Sequence, residues 1–141
     1  SGPMMYAIAY LAILLPFGAL DAVWLSLMGP RLYKPTLGDI LLTNVNVTAV
    51  IAFYLIYPIG ILVFATLPAL KAGSVMPAFV YAALFGALAY ATYDLTNQAT
   101  LRNWTLQLTL IDVTWGAVAT GLAGAVSYYV TRAIGGWLGI N

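Results

Sequence analysis

Hydrophobic positions gather into four long runs separated by short polar interruptions. Within each run the apolar residues are nearly continuous, with neither the one-sided stripe of a surface helix nor the alternation of a half-buried strand. About 20 such residues are needed to cross the hydrocarbon of a bilayer as a helix. The runs predict helices over approximately 5–28, 44–66, 75–97 and 105–131. Gly29-Pro30 is expected to end the first, Leu67-Pro68 to close the second and Arg132 to stop the fourth, while Pro77 falls in the first turn of the third, where a missing N–H costs little. Pro16 and Pro58 lie inside their runs and are expected to kink them. Unpaired strand edges are too costly in lipid, so the fold class is all-α, an integral membrane four-helix bundle.

Composition agrees with this pattern. Of 141 residues 63% are hydrophobic and only 6% charged, whereas a soluble domain carries about 25% charged residues to keep its surface hydrated. The net charge of +1 offers no basic field for nucleic acid. With no Cys and no His, disulfides, thiolate chemistry and histidine-ligated metals or haem are excluded, and neither a metal nor a cofactor is expected. Ser1-Gly2-Pro3 reads as the remnant of a cleaved expression tag, leaving 4–141 as a single transmembrane domain. The first run has no basic leader and is too long for a signal-peptide core, so it is expected to be retained.

Four spans place both termini, Lys71 and Arg132 on one membrane face and Arg31, Lys34 and Arg102 on the other. The basic residues favour a cytoplasmic location for the second face by a margin of 3 against 2. The segment from Gly29 to Thr43, with Arg31, Tyr33, Lys34 and Leu37, suits the headgroup level. Trp104, Trp137, Tyr128 and Tyr129 sit near helix ends and read as interfacial anchors. The rows Ala83-Ala87-Ala91 and Ala117-Gly121-Ala125 suit close helix contact, within the bundle or between protomers of a homodimer.

The polar residues inside the spans are not scattered. Because the helices alternate in direction, Asp21 late in the first, Asn46 at the start of the second, Asp94 and Asn97 late in the third and Asp112 early in the fourth share one end of the bundle. Spacings of three and four bring aromatics to the same faces: Trp24 beside Asp21, Trp115 beside Asp112, Tyr90 and Tyr93 beside Asp94, and Tyr54 and Tyr57 along the second helix below Asn46. An aspartate deep in a membrane costs about 2.5–3.5 kcal/mol on insertion scales and is normally turned inward and used. Three clustered carboxylates would not all stay ionised, so at least one is expected to carry a proton, or the site to hold a cation.

The stretches Leu20-Asp21-x-x-Trp24-Leu25, Phe53-Tyr54-x-x-Tyr57, Tyr90-x-x-Tyr93-Asp94-Leu95-Thr96-Asn97 and Asp112-x-x-Trp115-Gly116 resemble a family of small bacterial membrane proteins known as a domain of unknown function. The Tyr-Asp-Leu-Thr-Asn segment is the most specific part. The resemblance implies four helices in a bacterial inner membrane and supplies no activity.

Three functions remain open to these residues. The first is binding or proton-coupled transport of a small cationic or amphipathic solute, since aromatic faces attract cations and buried carboxylates exchange protons. The second is an enzyme acting on a lipid or isoprenoid, with the carboxylates dividing acid and base roles. The third is a structural or accessory subunit in which Asp, Tyr and Trp only satisfy one another.

Overall fold

A computed structural model describes residues 2–141 as four antiparallel helices, each long and apolar enough to cross a membrane: α1 (Gly2–Ile40), α2 (Val47–Ala72), α3 (Val75–Thr100) and α4 (Leu106–Leu138). Capping side chains set three of the starts. The Oδ1 of Asn46 accepts from the Ala49 N–H at 3.2 Å, the Oγ of Ser74 from Met76 at 3.3 Å, and the Oγ1 of Thr105 from Leu108 at 3.1 Å. Gly73 and Gly139 close α2 and α4 in the left-handed conformation, with φ of 68° and 72°.

Three expected helix ends are corrected. Gly29-Pro30 does not end α1, and Leu67-Pro68 does not close α2; in each the chain passes through a widened π turn and continues. The turns span Gly29–Tyr33 and Leu62–Thr66, and each is closed by an i→i+5 bond, from Lys34 N–H to the Gly29 carbonyl and from Leu67 N–H to the Leu62 carbonyl. A proline follows directly in both, Pro35 and Pro68. A proline in a regular helix meets the carbonyl four residues earlier, and a wider turn moves that carbonyl aside. Arg132 does not stop α4 either; a charge at a membrane face breaks no backbone bond, and the helix runs on to Leu138. Asn44 lies outside α2, which begins at Val47.

The central element is α4, packed most closely along α3 and then against α1. Small residues make the α3–α4 approach. A Cβ on Gly86 would strike the carbonyl of Gly116 and lie 2.6 Å from Thr120, and one on Gly124 would meet the Ala78 carbonyl. Gly121 faces Ala83, so the small-residue rows are used inside the bundle. The core between them comprises Ile13, Phe17, Tyr57, Ile61, Ala65, Ala82, Ala119 and Ala123.

The helix α2 is peripheral. Its first half is largely exposed, and its second half is pinned by a buried hydroxyl pair, Thr66 Oγ1 to Ser127 Oγ at 2.8 Å. Beyond the π turn of α1, Leu32 and Leu37 pack on Trp104 and Leu108 and roof that end of the bundle. The roof is tied down where Asn103 donates to the Leu37 carbonyl at 3.1 Å. Trp104, expected as an interfacial anchor, is therefore buried in this roof, and Tyr128 is buried against Ala69 and Ala78; Trp137 and Tyr129 remain exposed.

Candidate functional site

Asp21, Asp94 and Asp112 are all buried beneath the roof, at 6%, 0% and 7% exposure. They reach this level from three helices, and each is held differently. The Asp21 carboxylate accepts from two directions, from the Tyr54 hydroxyl on α2 and from the Trp115 Nε1 on α4 at 3.0 Å. The Tyr54 hydrogen bond draws the otherwise loosely packed first half of α2 to the bundle.

Asp112 accepts from the Tyr33 hydroxyl at 2.5 Å, and that hydroxyl in turn accepts from the Trp24 Nε1 at 2.8 Å. Sequence reasoning placed Tyr33 at the headgroup level. The continuation of α1 through its π turn instead carries Tyr33 back over the bundle and aims its phenol down at Asp112. Nothing local in the sequence signals this, since the residue before a proline, here Lys34 before Pro35, more often ends a helix than continues one.

Asp94 is held by no donor among the described residues: neither carboxyl oxygen has a hydrogen-bond partner. Asp112, on the helix packed most closely against α3, is buried at the same end of the bundle. A buried carboxyl that accepts from no donor is satisfied only when a donor or a cation from outside the described residues meets its oxygens. At the roof, Trp104 Nε1 donates to Thr109 Oγ1 at 2.9 Å, and that hydroxyl faces the Asp94 backbone carbonyl at 3.5 Å. The Oε1 of Gln98, one turn beyond Asp94, is likewise buried without a donor among the described residues.

The three acids thus share a depth but not a setting: Asp21 and Asp112 are held by donors and Asp94 by none among the described residues. Among the described residues no three acidic side chains come close enough together to ligate a metal ion. Tyr90 lays its ring on Gly116 and meets the Tyr57 ring edge-on at 6.2 Å. Tyr57 points into the core and shares a hydrogen bond with Thr120 at 2.9 Å.

Three expected site residues are placed elsewhere. Asn46 is exposed and spends its side chain capping α2. Tyr93 faces outward, 57% exposed, with its ring edge-on to Trp104. Asn97 is half-buried near the end of α3, beyond the Asp94 carboxyl. The cause is helical geometry: Tyr93 and Asp94 are adjacent, so burying the acid turns the tyrosine about 100° away.

Trp24 and Trp115 form a partition. Their rings stack at 4.4 Å and 5°. Their N–H edges turn inward to the tyrosine–carboxylate network, as above, while the rings also line an open, almost wholly apolar groove of ≈ 650 Å³ between α1 and α4, with Pro16, Val23, Leu27 and Leu122. On the aqueous side the roof of Leu32, Leu37, Trp104 and Leu108 covers the same network. The network therefore has the stacked tryptophans and their apolar groove on one side and an apolar cluster at the end of the bundle on the other.

No curated protein and no solved structure matches the chain. A family model does match, over residues 6–129, a range that holds every helix of the bundle in whole or in large part, all three buried aspartates and both stacked tryptophans. The chain belongs to the family described as "Predicted membrane protein (DUF2177)", a multi-pass membrane protein family of unknown function.

Proposed function

We propose that the buried aspartates bind the head of a lipid-dissolved amphiphile, cationic or rich in hydrogen-bond donors, whose apolar tail lies in the groove between α1 and α4. The observation that carries this reading is the Trp24–Trp115 partition, with apolar groove on one side and carboxylate network on the other. A ligand arriving from water would have to cross the roof, whereas one already in the bilayer meets the groove directly. Acceptors outnumber donors at Asp94 and Gln98, so the complementary head supplies N–H groups or positive charge. Indole faces add cation–π attraction of about 0.5–2 kcal/mol.

Exchange of a proton for a cation at the buried carboxyls supplies a basis for proton-coupled movement of the ligand. The burial of the carboxyls, with an apolar groove beside the tryptophans that bond their network, supports binding and exchange over an enzymatic role on a lipid. The family resemblance supports residence in a bacterial inner membrane, and the site is assembled within one chain, so a homodimer is not required for binding.

Dodecyltrimethylammonium, added to the protein in lipid nanodiscs, tests this directly. It is expected to raise the melting temperature and shift tryptophan emission, with release of protons into a weakly buffered medium. Dodecyl sulfate, of equal chain length and opposite charge, is expected to do neither. Loss of the ammonium effect in Asp21→Asn/Asp112→Asn supports the reading. Equal responses to both amphiphiles, or a response untouched in that variant, would sink it.

A further inference from the structure

The end of the bundle opposite the carboxylates holds a second cavity, a cleft of ≈ 510 Å³ where the start of α1, the end of α2 and the last turns of α4 meet. Its walls include Met5, Leu67 and Leu70, and two cations line it, Lys71 and Arg132. These are two of the five basic residues in the protein.

Neither cation has an acidic side chain beside it among the described residues. All four acidic residues belong to the other end: Asp21 late in α1, Asp39 in its last turn, Asp94 late in α3 and Asp112 early in α4. No ion pair holds Lys71 or Arg132 among the described residues. Asn141 meets Arg132 through its amide, donating to the Arg132 backbone carbonyl at 3.1 Å.

Arg132 is nonetheless positioned. One guanidinium nitrogen bonds the Tyr128 hydroxyl at 3.2 Å, and the group lies 5.6 Å from the centre of that ring. Across the cleft Gly73, at φ 68°, brings the α2–α3 connection against the same guanidinium nitrogen; a Cβ there would stand 3.6 Å from it. The guanidinium is thus held on one edge with donors left over, beside a flexible ammonium, above an apolar wall. This suits a phosphate with hydrocarbon attached: a guanidinium gives directed bonds to phosphate oxygens, an ammonium adds a point charge, and the wall receives the first carbons of the chains.

We propose that Lys71 and Arg132 bind the phosphate of an anionic membrane lipid in this cleft. The site is independent of the aspartate cluster and lies at the other membrane face.

The test places the full chain in nanodiscs of phosphatidylcholine with phosphatidylglycerol at rising mole fraction, and follows the melting temperature. Wild type is expected to gain stability and saturate at low phosphatidylglycerol content. In Lys71→Gln/Arg132→Gln the half-saturating content is expected to rise about tenfold or more, from roughly 1 kcal/mol per cation near the surface. Melting in pure phosphatidylcholine shows that this variant folds. Arg31→Gln/Lys34→Gln, at the opposite face, is expected to keep the wild-type curve. A curve unchanged in the first variant, or shifted equally in both, overturns the proposal in favour of diffuse surface charge. A further arm adds inorganic phosphate to phosphatidylcholine discs. No stabilisation there supports a lipid as the source, and stabilisation equal to that from phosphatidylglycerol overturns it.

Discussion

The three buried aspartates are chemically identical and physically unequal, and single substitutions separate them. Asp21 receives two donors, so Asp21→Asn turns one amide N–H₂ towards Tyr54 or Trp115 and leaves a buried donor unmatched. An unmatched buried donor costs about 1–3 kcal/mol, to be read as a lower melting temperature in detergent. Asp94 receives none, so Asp94→Asn replaces a buried carboxyl that lacks a donor with a neutral amide. Its melting temperature is expected to equal or exceed that of wild type, while proton release on binding the ammonium probe is reduced. Tyr33→Phe removes the link between Trp24 and Asp112 and is expected to destabilise by about 1–3 kcal/mol. The substitution Tyr54→Phe is expected to do less, because α2 is exposed at that level and water or lipid headgroups can reach the vacated carboxylate oxygen.

At the scale of the helix, glycine separates contact from open space. Gly86→Ala drives a methyl into the Gly116 carbonyl and Thr120, where backbone cannot yield, and overpacking of this kind costs about 1–3 kcal/mol. Gly18→Ala meets nothing within 4 Å and is expected to leave melting unchanged or slightly raised. The rows through Ala83 and Gly121 marked close helix contact beforehand, but not the α3–α4 pairing, because small residues at a spacing of four serve contacts within a bundle and between protomers alike. The helix ends at Gly29-Pro30 and Leu67-Pro68 were not legible. Proline reports only the bond it cannot make, and whether the chain stops or widens into a π turn depends on what the next segment can pack against. For α1 that was the surface of Trp104 and Leu108, which is distant in sequence. The same blind spot hid Tyr33, whose role exists only because α1 continues. By contrast Asp21, Trp24, Asp112 and Trp115 were readable, since each acid and its tryptophan lie three residues apart on one helix face. Tyr93 was misplaced because a spacing rule gives a face about 100° wide and cannot say which edge of it is turned inward, and Asn46 because it stands before α2 as its cap.

Over the whole molecule, charge is divided: all four aspartates, with Arg31, Lys34 and Arg102, belong to one end, and Lys71 and Arg132, with no acidic side chain beside them among the described residues, to the other. The roof makes the first end dry from the aqueous side, and that is open to chemical test. A hydrophobic carbodiimide that partitions into lipid is expected to modify Asp94 or Asp112, as detected by peptide mass, while a charged, water-soluble carbodiimide of the same reactivity is not. Equal labelling by both would mean that water reaches these carboxyls through the roof. The roof also has a kinetic consequence. If the Leu32–Trp104 lid stays shut while ligand enters between α1 and α4, the rate-determining medium for exchange is the bilayer interior. Arrival and departure would then track acyl-chain order and bilayer thickness, slowing in stiff membranes and quickening in fluid ones, and would be nearly indifferent to the viscosity of the surrounding water.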